Sequence, residues 1–149
     1  YGIIQAYSPK LFLKEDDKKI NLVDISKNWV LYLLINLILL TFLLFFFSEI
    51  FLTTIFLFSG LFIFCGIFAV NSSIHSYLIL HFSKMNRVSL DVGFYYMANA
   101  TGRFFGTLLS GLSYQFGGLT LSLALSTIMI AFCLYLTSFL QESYNEEKI

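Results

Sequence analysis

Residues 29 to 47 read WVLYLLINLILLTFLLFFF, a nearly unbroken apolar run. Its length matches the roughly 20 residues that a helix needs to cross the ~30 Å hydrocarbon core of a bilayer. Trp29 stands at its start, where an amphipathic ring prefers the membrane interface. The run therefore predicts a transmembrane helix.

The composition of the whole chain points the same way. Of its 149 residues, 58% are hydrophobic and 12% are charged, whereas soluble domains have about a quarter of their residues charged. Nine basic and nine acidic residues cancel, so no net charge is present to attract nucleic acid. We expect the lipid bilayer as the surroundings and no nucleic-acid partner.

A second apolar run, residues 53 to 82, follows the first after a short break at Glu49. A single helix through both runs would rise about 1.5 Å per residue and would far exceed a bilayer. The chain is therefore predicted to fold back near Glu49. Residues 29 to 82 then form a membrane hairpin.

A second hairpin is predicted in the last third of the chain. Its limbs are residues 92 to 116 and 119 to 140, and Gly117 and Gly118 supply the turn between them. The predicted fold is thus an all-α polytopic membrane helix bundle with four complete spans.

Both ends of the chain extend beyond these spans. Residues 1 to 9 read as the end of an earlier helix that stops at Pro9, because proline cannot continue a helix without losing a hydrogen bond. No signal-peptide pattern precedes them. We expect the chain to be the C-terminal piece of a longer protein, with residues 141 to 149 forming a charged, soluble tail.

The basic residues suggest an orientation. Lysine and arginine lie in the predicted loops at residues 10 to 28 and 83 to 91, whereas the turns near Glu49 and Gly117 carry none. Short cytoplasmic loops are enriched in these residues. The sequence predicts a multi-pass protein of the cell inner membrane with both basic loops and the C-terminus in the cytoplasm.

Arg103 lies near the middle of the predicted span 92 to 116. An arginine at the bilayer centre costs about 2.5–3.5 kcal/mol on insertion scales, and such residues usually face a bundle interior or a water-filled cavity. Helical spacing places it on one stripe with Tyr96, Asn99, Gly106 and Ser110. An overlapping edge has the small-residue spacing that allows close helix approach, and comprises Ala98, Gly102, Gly106 and Ser110.

Two interpretations of Arg103 remain open. In the first, its guanidinium binds a phosphate, carboxylate or similar oxyanion of a small anionic substrate, and Asn99 and Tyr96 complete the site. In the second, it is a structural arginine bonded to backbone carbonyls or to an acid on a helix outside the sequence. The default for intramembrane charges favours the first.

The motif NSSIHSY, residues 71 to 77, is the other polar group within a span. Asn71 and His75 share a helix face. Because so many polar groups are unfavourable in lipid, they are expected to line a cavity or tie helices together. His75 is a candidate for substrate binding or proton relay. The alternative is a neutral histidine hydrogen-bonded to a neighbouring helix.

Nothing in the sequence indicates catalysis or a cofactor. The serines near His75 do not have the spacing of a nucleophile and base, and no third member is recognisable. Cys65 and Cys133 lie in apolar runs without metal-ligand spacing. We expect a protein that is not an enzyme and that binds no metal or cofactor.

Two long motifs resemble a known family. FAVNSSIHSYLIL (68 to 80) and LDVGFYYMANATGRFFGTLLSGLSYQFGG (90 to 118) are similar to the C-terminal end of the organoarsenical efflux transporters, ArsJ type, of the major facilitator superfamily. YGIIQAYSP (1 to 9) resembles the end of that family's eighth helix. The resemblance implies that the chain supplies helices nine to twelve of the C-terminal half and that an N-terminal half is missing.

The same resemblance implies a cargo. These transporters export 1-arseno-3-phosphoglycerate, which glyceraldehyde-3-phosphate dehydrogenase makes from arsenate, and so give arsenate resistance. The cargo carries carboxylate, phosphate and arsenate groups, which suit a buried cation such as Arg103. The alternatives are transport of another anionic or amphipathic small molecule, and a small membrane interaction protein that does not transport.

Overall fold

The computed structural model describes residues 2–4, 6–7, 22–46, 50–83 and 86–146, and nearly all of them are helical. The long helices are α1 (Leu22–Phe46), α2 (Ile50–Phe82) and α3 (Val88–Glu146). Residues 2–4 and 6–7 are also helical. The predicted turn near Glu49 and the predicted helix end at Pro9 lie outside the described residues.

A glycine pair divides α3 into two limbs. Gly117 (φ −148°, ψ 19°) and Gly118 (φ 64°, ψ −157°) have non-helical backbones. Ser110 Oγ lies 3.2 Å from Ser122 Oγ, whereas residues 12 apart in one continuous helix would be separated by about 18 Å. The chain therefore reverses here, and we call the limbs α3a (residues 88–116) and α3b (residues 119–146).

Both glycines are needed for this reversal. The backbone of Gly118 lies in a region of φ and ψ that is essentially confined to glycine. A Cβ on Gly117 would lie 2.7 Å from the Cβ of Leu121, closer than real Cβ atoms approach. Larger residues are therefore excluded at Gly118 by backbone conformation and at Gly117 by steric contact.

Helix α1 lies at the centre of the bundle, because it contacts both α2 and α3 far more extensively than they contact each other. Leu37 and Leu40 of α1 form the core with Leu123 of α3b. Gly60 of α2 allows a close approach at the same level, since a Cβ there would lie 3.0 Å from the Cγ of Leu40. The partly buried residues Leu44, Leu57, Phe64 and Ile130 pack around this core.

The outer surface is apolar. In the described part of the chain, three helices are long and apolar enough to cross a membrane: Val23–Phe46, Phe51–Leu80 and Val88–Phe139. The third contains the glycine turn, so it supplies two limbs. Phe62 and Phe116 are more than four-fifths exposed, an arrangement that is unfavourable in water and favourable in lipid. The protein is an all-α membrane helix bundle.

The helices extend beyond the predicted limits at both ends. Helix α1 begins at Leu22, within the stretch 10 to 28 that was predicted to be a loop. Asp24 in the first turn suits the positive end of the helix dipole, and Val23 and Ser26 are buried. Helix α3 continues through Glu146, into the predicted tail 141 to 149, and Gln and Glu are good helix formers.

Candidate functional site

The NSSIHSY segment is the most deeply buried part of α2. Ala69, Val70, Asn71, Ser73 and Ile74 are all buried, whereas most of the helix before them is exposed. A polar stretch within a span is thus enclosed by protein rather than facing lipid. Its side chains meet the two neighbouring helices.

His75 connects α2 to α1. Its Nε2 lies 3.1 Å from the Oγ of Ser26, and which of the two groups donates depends on the histidine tautomer. Ser26 is only 2% exposed, and a buried hydroxyl requires such a partner. The pair joins the start of α1 to the last third of α2.

Ser76 connects α2 to α3a. Its hydroxyl donates to the carbonyl oxygen of Ser72 (3.0 Å) and lies 3.2 Å from the hydroxyl of Tyr95. Because Ser76 has a single hydrogen and gives it to Ser72, Tyr95 is the donor in the second bond. Ser26, His75, Ser76 and Tyr95 therefore form a polar cluster that links three helices.

Asn71 lies one helical turn before His75. Its Oδ1 is buried and has no hydrogen-bond partner among the described residues, and a buried acceptor left unpaired costs about 1–3 kcal/mol. The Oδ1 of Asn36 in α1 is in the same situation. Each amide oxygen is therefore free to accept a hydrogen from a ligand or from an enclosed water.

Arg103 lies on α3a, eight residues after Tyr95 and so about 12 Å further along the helix axis. Its side chain is exposed, and within the described ranges its guanidinium makes no ion pair and no hydrogen bond. Asn99 is half-buried and Tyr96 is exposed. The predicted substrate residues of this limb keep their shared spacing without bonding to one another.

The small residues beside Arg103 are open. A Cβ on Gly102 or Gly106 would have no described atom within 4 Å, and Ala98 is exposed. We call Ala98, Gly102, Arg103 and Gly106 the open edge of α3a. Ser110, the fourth predicted packing residue, does contact a neighbouring helix, through its bond to Ser122 of α3b.

The predicted site residues thus fall into two groups. Asn71 and His75 lie in the buried stretch of α2, and His75 is bonded to α1. Tyr96, Asn99 and Arg103 lie on α3a. Tyr95 connects the groups, because it is bonded to Ser76 and precedes Asn99 and Arg103 by four and eight residues.

Sequence reasoning missed Ser26 and Tyr95. Ser26 falls in a stretch predicted to be a loop, so no partner for His75 was visible. Helical spacing alone also allows Tyr96, which is seven residues before Arg103, to share a face with Arg103, so it did not single out Tyr95. The spacing of four from Tyr95 to Asn99 and from Asn99 to Arg103 was the available signal.

Neither metal-ligand geometry in the described residues nor similarity to known proteins identifies a function for this site. Within the described ranges, no group of three or more His, Cys, Asp and Glu side chains is placed to hold a metal ion, and Cys65 and Cys133 are free thiols. Comparison with known proteins gives no match to a family model, to a curated protein or to a solved structure. The fold alone defines the class, an integral membrane protein built from helices.

Proposed function

We propose that the chain is the C-terminal part of a secondary transporter of the major facilitator superfamily that exports an organic oxyanion. The proposal has two supports: the resemblance of the motifs around His75 and Arg103 to organoarsenical efflux transporters, and the environment of Arg103. The single observation that carries it is an arginine within a membrane span that has no counter-charge among the described residues.

The need for a counter-charge follows from the position of Arg103. The acidic residues of the described spans up to residue 139 are Asp24 and Asp91, which lie in the first turns of α1 and α3. Asp91 is 12 residues before Arg103, or about 18 Å along the helix. An anion that satisfies Arg103 must therefore come from elsewhere, and a passing substrate is such a source.

The chemistry of arginine suits the proposed cargo. A guanidinium offers a planar fork of donors that binds carboxylate and phosphate oxygens in pairs. Asn99 adds an amide, and Tyr96 adds a hydroxyl on the same limb. We propose 1-arseno-3-phosphoglycerate as the cargo, supplied by glyceraldehyde-3-phosphate dehydrogenase on the cytoplasmic side.

Transport requires more than this chain. In the proposed transporter, an N-terminal half faces these helices, and the two halves rock about a site near the bilayer midplane. Export across the inner membrane then gives arsenate resistance. With another anionic or amphipathic cargo the same mechanism would operate. The open edge also suits a small membrane interaction protein that does not transport, since small residues allow close helix contact.

Arsenate resistance of cells tests the proposal. The complete gene is expressed with Arg103→Ala, Arg103→Lys or, as a control, Arg87→Ala, which changes an arginine in the turn before α3a. We expect both Arg103 variants to lose most of the protection and Arg87→Ala to keep it. Full protection by both Arg103 variants at normal expression would show that Arg103 does not bind the cargo.

A further inference from the structure

Two side-chain hydrogen bonds connect α3a to α2 and to the residue that follows α2, both near the start of α3a. Ser83, immediately after α2, donates to the Oδ2 of Asp91 at 2.6 Å. Tyr95 donates to Ser76 at 3.2 Å. We call these four residues the clamp. Further along the limb, residues 100–112 of α3a are all exposed.

The two clamp residues of α3a share one face of that helix. Asp91 and Tyr95 are four residues apart, which is a same-face spacing, and their partners are Ser83 just after α2 and Ser76 within it. Both bonds resist rotation of α3a about its own axis, and the second also resists pivoting of the limb about the first. The clamp therefore fixes the direction in which every later side chain of the limb points.

Arg103 lies on the continuation of the clamp. The spacing of four that relates Asp91 to Tyr95 continues through Asn99 to Arg103. Each step of four residues rotates the side-chain direction around the helix axis by about 40°, because four residues exceed one turn by 0.4 residue. The direction of Arg103 is thus tied to that of Tyr95.

The clamp is also connected to the central helix α1, through residues next to Ser76. Ser76 is held by its bond to the carbonyl of Ser72. The adjacent His75 is bonded to Ser26 of α1, and α1 is the helix that contacts both others. The orientation of α3a is therefore set relative to α1, although no side-chain hydrogen bond between described residues joins the Arg103 part of the limb to α1 or α2.

We infer that Tyr95 is a positioning residue that holds Arg103 in the orientation needed to bind the anionic cargo. The part of this inference that concerns cargo rests on the proposed function, whereas the geometric part does not. Tyrosine suits the role because its side chain is rigid and reaches far, with a single donor at its end.

Distances between spin labels test the geometric part. In the complete protein with its native cysteines replaced, labels are placed by Phe62→Cys on α2 and Phe105→Cys on α3a, both exposed positions. We expect Tyr95→Phe to shift or broaden the distance distribution. Tyr114→Phe is the matched control, because Tyr114 lies on the same limb, is exposed and has no hydrogen bond to a described residue.

Export kinetics test the part that concerns cargo. Losing one hydrogen bond changes an equilibrium about two- to tenfold, so Tyr95→Phe should raise KM by about that factor with kcat unchanged. A variant that merely misfolds would lower the amount of transporter and leave KM alone. Ser76→Ala should match Tyr95→Phe, and the double variant should be no worse. Tyr114→Phe should keep the parent KM.

The two proposals fail in different ways. An unchanged label distance and an unchanged KM in Tyr95→Phe, with export lost in Arg103→Ala, would overturn the clamp and leave the proposed function standing. A shifted distance in Tyr95→Phe, with normal export in both Tyr95→Phe and Arg103→Ala, would support the clamp geometry and remove Arg103 from cargo binding.

Discussion

The polar cluster and the open edge both carry polar or charged side chains within membrane spans, but the cluster is enclosed by helices and the open edge is exposed. In the cluster, the polar side chains Ser26 and His75 are enclosed between helices and bonded to each other. At the open edge, Arg103 is exposed and has no partner in the described part of the chain. Satisfied polar groups hold helices together, whereas an unsatisfied cation on a small-residue face is available for recognition.

The largest expected difference concerns packing. Leu33 of α1 is 2% exposed, whereas Leu108 of α3a is about half exposed. Leu33→Ala should lower the free energy of unfolding by about 2–5 kcal/mol, because it leaves a cavity in the core. Leu108→Ala should change it by less than about 0.5 kcal/mol. Unfolding by titration with a denaturing detergent measures both.

An equal loss in the two leucine variants would contradict the division into a packed and an open region. It would mean that the open side of α3a is covered by tightly packed protein.

The next effect concerns glycine. Gly118→Ala should destabilise the protein by about 1–3 kcal/mol, since the backbone there is essentially confined to glycine. Gly111→Ala, on the exposed part of α3a with no atom within 4 Å of its Cβ, should be neutral or stabilise by up to about 1 kcal/mol, because glycine weakens a helix interior. Thermal unfolding in detergent compares them, and destabilisation by Gly111→Ala alone would reverse the expected order.

The smallest effect concerns the hydrogen bond within the cluster. Ser26→Ala removes the partner of His75 and should cost about 0.6 kcal/mol, the mean measured for bonds between membrane helices, and no more than the maximum of about 1.7 kcal/mol. Ser59→Ala is the control, because exposed Ser59 bonds within its own helix, to the carbonyl of Phe56. The same detergent titration applies. Equal effects of the two alanines would show that the bond to His75 adds no stability between helices.

The helical membrane fold could be predicted from the sequence because hydrophobic length is a local property. The run 29 to 47 alone indicates a span, and α1 contains most of it. Helix ends were harder to predict, because residues 22 to 28 include charged side chains and lie outside the apolar run, although α1 begins at Leu22. The partner of His75 is 49 residues away in sequence, and no periodicity identifies such a pair.

The candidate site shows the same limit. The stripe containing Asn99 and Arg103 followed from helical spacing, which is fixed by the backbone. The choice between Tyr95 and Tyr96 depended on the rotation of α3a against α2, which the bond to Ser76 sets. Sequence spacing locates residues on a helix, whereas contacts between helices decide which face has a partner.

Uptake into inverted membrane vesicles tests the central claim most directly, namely that Arg103 binds an anionic cargo. Vesicles carrying the proposed transporter are mixed with glyceraldehyde-3-phosphate dehydrogenase, its substrates and labelled arsenate, and arsenic inside the vesicles is counted. We predict accumulation that requires the dehydrogenase, is lost with Arg103→Ala and is retained with Arg87→Ala. Accumulation by Arg103→Ala equal to that of the parent would contradict the account.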